Sequence, residues 1–230
     1  MMRSVWCLSL ALAAGSAQAA FFSFASDRNN DGPTFTSGNS SVSILDGRTR
    51  DGNNTVLTNF LVDVDENGPV AEVAYDTRFQ FTGSLANYQV TSVAGTNIHA
   101  FTVNGSFEII ANDSNAAIFT ATFTDAVFTS ISESRTLLGR TANISADDTT
   151  NAVTFTTAGP LANIDVSGNR NFNFTLTALQ TLNGARVGVS ANGLLQDWIS
   201  EGSFSAQAIP TPGSLALAVL GVAGMARRRR

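Results

Sequence analysis

The chain has 230 residues, all 13 of its basic residues are arginine, and its formal net charge is −5. All 18 carboxylates fall between Asp27 and Glu201 beside only eight arginines, so that stretch carries −10; such a field repels phosphate backbones and excludes nucleic acid as a partner. The single cysteine, Cys7, lies ahead of that stretch, which excludes a disulfide or a thiolate metal site within it and leaves its stability to its own core.

The first 19 residues read as a signal peptide. Arg3 supplies the charge, residues 5–14 an apolar stretch too short for a bilayer, and Ala17-Gln18-Ala19 the small-x-small form of a cleavage site, so signal peptidase is expected to leave Ala20 as the new N-terminus. From there to residue 208 the sequence reads almost entirely as strands. In Ile118-Phe119-Thr120-Ala121-Thr122-Phe123-Thr124 the apolar residues alternate strictly with threonine, placing rings on one sheet face and hydroxyls on the other. Val153-Thr154-Phe155-Thr156 and Phe172-Asn173-Phe174-Thr175-Leu176-Thr177 repeat the pattern.

Further strands are expected at 41–45, 56–64, 72–81, 87–93, 99–110, 126–131, 142–144 and 203–208. Turn signals punctuate them, among them Asn104-Gly105, Asn112-Asp113-Ser114-Asn115, Asp147-Asp148, Gly159-Pro160 and Asn192-Gly193. One wet face per strand fits an all-β, jelly-roll-like antiparallel sandwich, a single domain over residues 20–208; two small β domains meeting near 147–150 are the alternative. The best helical segment in that span, 194–199, is short, and its apolar residues fit equally well as a plug at one end of the sandwich.

Two acidic turns have the spacing of calcium loops. Asp27, Asn29 and Asp31 before Gly32, and Asp63, Asp65 and Asn67 before Gly68, place alternate side-chain oxygens where they can converge on one hard cation. Both lack the distal glutamate of the helical version, and Asn, Asp and Gly are also what an ordinary turn requires. Calcium is thus the only cofactor the sequence suggests. Catalysis has little to stand on: His99 is the sole histidine, sits in a strand where solvation on the polar face is expected, and no Gly-x-Ser-x-Gly or His-Glu-x-x-His occurs. Tyr75, Tyr88 and Trp198, the non-phenylalanine aromatics beyond the signal, fit either a sugar platform or core and rim packing.

The last segment, 209–230, has three parts: Pro210-Thr211-Pro212-Gly213, an apolar run over 215–226, and the block Arg227, Arg228, Arg229 and Arg230. As a helix those 12 apolar residues would span about 18 Å against about 30 Å of hydrocarbon, a marginal membrane anchor, with the arginines held on the cytoplasmic side. The arrangement resembles the PEP-CTERM sorting signal of exported bacterial proteins, with Thr211 where the family motif has glutamate. The resemblance covers this segment only. It implies export, transient anchoring in the membrane, recognition near Pro210 and Pro212 by an exosortase-like membrane peptidase, and association with the cell surface or extracellular matrix. The expected protein is therefore non-catalytic and matrix- or surface-associated. The alternatives are a calcium-assisted module that binds extracellular polysaccharide and, behind it, a small secreted hydrolase.

Overall fold

The computed structural model describes residues 19–26, 33–36, 43–49, 58–64 and 72–209. Eleven strands occupy them: β1 (Ala20–Ser26), β2 (Pro33–Thr36), β3 (Ser43–Thr49), β4 (Thr58–Asp63), β5 (Val73–Val93), β6 (Thr96–Ala111), β7 (Ala117–Ser132), β8 (Ala142–Asp147), β9 (Ala152–Thr157), β10 (Asn169–Gln180) and β11 (Trp198–Ile209). Helical structure among the described residues is limited to a 3-10 turn, Gly159–Leu161. No helix there is long and apolar enough to cross a membrane. The signal segment up to residue 18 and the tail from 210, including its expected helix, lie outside the described residues.

All pairings are antiparallel, so the all-β expectation holds. Where two sheets packed face to face were expected, hydrogen bonds join the described strands into one sheet that returns on itself. Its path runs from β1 through β4, β5, β6, β7, β8, β10 and β11 and back to β1, where Ala20 faces Ala208. β2 and β3 extend the same path, linking β11 to β5 beyond the ends of β1 and β4. Alternation reports that each strand has one dry face; it does not distinguish two open sheets from one closed sheet with a filled interior.

Closure is achieved by bending long strands. The expected strands 72–81 and 87–93 are one strand, β5, whose register against β6 shifts between Ala86 and Gln89, where Asn87 takes φ 52°. β6 shifts against β7 between Val103 and Gly105, opposite Asp125 at φ 57°. β10 shifts against β11 between Thr177 and Gln180, beside Ala178 at φ 52°. Such bulges sharpen local twist and let a flat pattern curl. Asn104-Gly105, a turn signal in the sequence, thus lies inside β6, and the β5–β6 hairpin turns instead at Ala94-Gly95, both at positive φ. The 147–150 segment is the turn from β8 to β9, which both pair with β7.

The interior is a continuous phenylalanine core. Phe22, Phe60, Phe107, Phe119, Phe128 and Phe174 are among its fully buried side chains, and Trp198 stacks on Phe128 at 5.6 Å. Among the phenylalanines whose side chains are described, Phe21 alone is not buried. Threonines point outward along the first half of β7, and asparagines and threonines along β10, the reverse of the apolar-out arrangement of a lipid-facing barrel. Segment 194–199 forms no helix: Leu195 bridges to Val189, Trp198 and Ile199 open β11, and Leu195 and Trp198 are buried in the core with Val187 and Val189.

One interior polar group stands apart. Ser200 is fully buried and its hydroxyl has no hydrogen-bond partner among the described residues. Removing an unpaired buried hydroxyl relieves a desolvation penalty. Ser200→Ala is therefore expected to raise the unfolding free energy by about 1 kcal/mol in urea melts; a loss of stability would show that the hydroxyl has a partner.

Candidate functional site

The most distinctive outward surface lies across β8, β10, β11 and β1. Register places its side chains in rows that cross the strands. One row runs Ser145, Asn173, Ser205, Ser23, with Val127 of β7 at its head. The next runs Asp147, Asn171, Gln207, Phe21. Period-two alternation explains both: Phe172, Phe174, Phe204 and Ala206 point inward, so the polar residues between them must point out.

These rows line a groove of about 650 Å³. The turn after Asp147 walls it on the β8 side, and Phe21 stands at the β1 side. With neighbouring strands about 4.8 Å apart, the floor from β8 to β1 is about 14 Å wide. The wall is fixed by hydrogen bonds: Asn151 Nδ2 donates to the Asp125 carbonyl at 2.6 Å, and the Asp147 carboxylate accepts from the Thr149 backbone N–H at 2.7 Å and from its hydroxyl. Those two bonds, the side-chain one first, hold the Asp147 carboxyl below the usual carboxylate range.

Ser145, Asn171, Asn173, Ser205 and Gln207 make no side-chain hydrogen bond with the described residues. Asp147 is the one charged group among the described residues lining the groove. Arg170, the sequence neighbour of Asn171, is engaged elsewhere, its Nε 3.0 Å from Asp148 Oδ2. The surface therefore offers amide and hydroxyl groups in register, close to electrically neutral, with an aromatic ring at one rim.

The residues singled out from the sequence fall elsewhere. Asp27, Asn29, Asp31, Asp65 and Asn67 lie outside the described residues; Asp63 ends β4, paired with Phe21. No cluster of three metal-ligating side chains occurs among the described residues. Pro210, Thr211, Pro212, the arginine block and Ala17 are likewise outside them, whereas Ala19 and Ala20 lead into β1. The aromatics expected on a platform or in the core follow the second course: Trp198 is interior, and Tyr75 and Tyr88 pack against the core.

His99 differs from its expected solvated position. It is fully buried, with Nδ1 2.9 Å from the Tyr88 hydroxyl and Nε2 2.9 Å from the Ser134 carbonyl. A carbonyl only accepts, so Nε2 donates to Ser134; in the neutral ring Nδ1 then accepts from Tyr88. The Tyr88 ring lies roughly parallel to the imidazole, and burial raises the pKa of its phenol, with Arg135 opposing. Alternation along β6 puts His99 in phase with Phe101 and Val103 on the inward face, and the Tyr88 hydroxyl and the Ser134 carbonyl satisfy its ring there. His99 thus ties β5, β6 and the segment after β7 together.

Neither the protein-family models nor the curated proteins nor the solved structures contain a match to the chain.

Proposed function

We propose that the protein is exported, held briefly at the membrane by its tail, and released to the cell surface or extracellular matrix, where it acts without catalysis. The observation that supports this most is the position of the fold's first strand. β1 begins at Ala20, immediately after the expected cleavage site, with Ala19 outside the strand. The expected signal segment could therefore be removed without taking a residue from β1. The two ends of the described fold also sit on neighbouring strands, since Ala20 pairs with Ala208. A tail leaving beside the mature N-terminus tethers the domain by one end and leaves the walls of the closed sheet accessible. The tail arginines keep its last residues cytoplasmic while the acidic domain lies outside.

Mass spectrometry of the native protein, combined with cell fractionation, tests this. The expected result is a mature N-terminus at Ala20 and a surface or matrix fraction lacking the arginine block. An intact tail in a cytoplasmic fraction would overturn the proposal.

A further inference from the structure

We infer that the groove across β8, β10, β11 and β1 is a binding site for a neutral polysaccharide. A polyanion would meet a stretch of net −10 between Asp27 and Glu201 and no cationic side chain among the described residues lining the groove. A polycation would find Asp147 alone among those residues, with one carboxylate oxygen already accepting two hydrogen bonds from Thr149. What remains is a neutral ligand rich in hydrogen-bonding groups.

The groove's chemistry matches such a ligand. A primary amide presents a donor pair and an acceptor side by side, and a hydroxyl presents both functions on one atom. Asn171, Asn173 and Gln207 supply the amides and Ser145 and Ser205 the hydroxyls, all without intramolecular side-chain partners among the described residues. Neighbouring hydroxyls of a sugar ring alternate as donors and acceptors and can meet this set at several points. Phe21, the one described phenylalanine side chain left outside the core, and Val127 at the opposite rim, 38% exposed, give the less polar faces of sugar rings a surface to lie on. A floor about 14 Å wide admits a short run of rings lying across the strands. The site differs from the calcium-assisted platform suggested by the sequence: it uses neither Tyr75, Tyr88 nor Trp198 and needs no cation.

Each contact replaces one with water, so individual affinity is weak and retention comes from repeated binding along a polymer. The inference gives the exported protein a partner and relies on export only for where the two meet. Binding is read on the purified full chain, so its failure leaves the sorting proposal standing, and mis-sorting leaves the groove standing.

The test is native affinity electrophoresis in gels containing dextran, galactomannan or laminarin, with alginate as the anionic comparison and EDTA present to silence any calcium loop. At least one neutral polysaccharide is expected to retard the wild-type chain. Asn171→Ala combined with Asn173→Ala should weaken that retardation at least tenfold while leaving the thermal melt unchanged. Phe21→Ser should weaken it as well, and Gln80→Ala on the far wall should not. Absence of retardation by all three neutral polymers, retardation by alginate only, or equal retardation of the double variant would overturn the inference.

Discussion

Phe119→Ala is expected to lower the unfolding free energy by about 3–5 kcal/mol, enough to remove much of the stability of an ordinary domain. The side chain is 1% exposed, and its neighbours come from around the closed sheet. Its ring centroid lies 4.7 Å from that of Phe22 on β1, 5.6 Å from Phe60 on β4, 5.7 Å from Phe107 on β6, 5.2 Å from Phe155 on β9 and 6.2 Å from Phe204 on β11. Truncation leaves a void bounded by rings on five strands. Each of those strands is hydrogen-bonded to neighbours in the same sheet, so none can move inward to fill the void without disturbing its pairing, and the cost falls toward the upper part of the range. Urea unfolding followed by near-UV circular dichroism measures it. Phe21→Ala, on the outer face, provides the contrast at well under 1 kcal/mol; a similarly small loss at Phe119 would mean that the interior is not one continuous core.

Gly105→Ala is expected to cost roughly 3 kcal/mol for a different reason. A Cβ at Gly105 would lie 2.3 Å from the Thr82 carbonyl oxygen and 2.7 Å from the Gly83 Cα. Both are backbone atoms of β5 and cannot rotate away. Gly83 and Gly105 face each other in the β5–β6 ladder, one residue from the register shift against β7, where Asn104 Oδ1 accepts from the Asp125 N–H at 2.7 Å. The glycine pair lets two strands approach where the sheet bends. Gly95 separates this steric cost from simple conformational strain: its φ is +83°, yet a Cβ there meets nothing within 4 Å, so Gly95→Ala should cost about 1 kcal/mol. Equal losses at the two positions in parallel denaturant melts would refute the close-approach argument.

Strand content was legible because a period of two survives in a single sequence. Residues 118–124 became the first half of β7 with phenylalanines inward and threonines outward, as alternation requires. Closure was not legible, because it depends on Ala20 meeting Ala208 and on residues such as Asn87, Asp125 and Ala178 adopting positive φ without a glycine to announce it. Asn104-Gly105 shows the ambiguity directly: the residues that make a tight turn also make a kink inside a strand. His99 was misread although period two puts it in phase with Phe101 and Val103 on the inward face; the Tyr88 and Ser134 partners that satisfy its ring there are residues no local window includes. The groove was half visible. The run Phe172-Asn173-Phe174 predicts that Asn173 points outward, but only register brings Ser145 and Ser205 to its sides.

The pairing of β1 with β11 also sets the order of events when the chain first folds. Hairpins such as β5–β6 can form from neighbouring sequence as soon as both arms are present. The seam is different: on the side away from β4, Ala20 through Ser26 find their partners at residues 202–208. Joining the ends of so long a loop carries an entropic cost before any contact compensates it, and topologies dominated by such contacts fold slowly. A chain that emerges N-terminus first, from the ribosome or along the proposed export route, must therefore hold β1 unsealed on one side until nearly the whole domain has emerged. That makes β11 the strand whose arrival completes the fold.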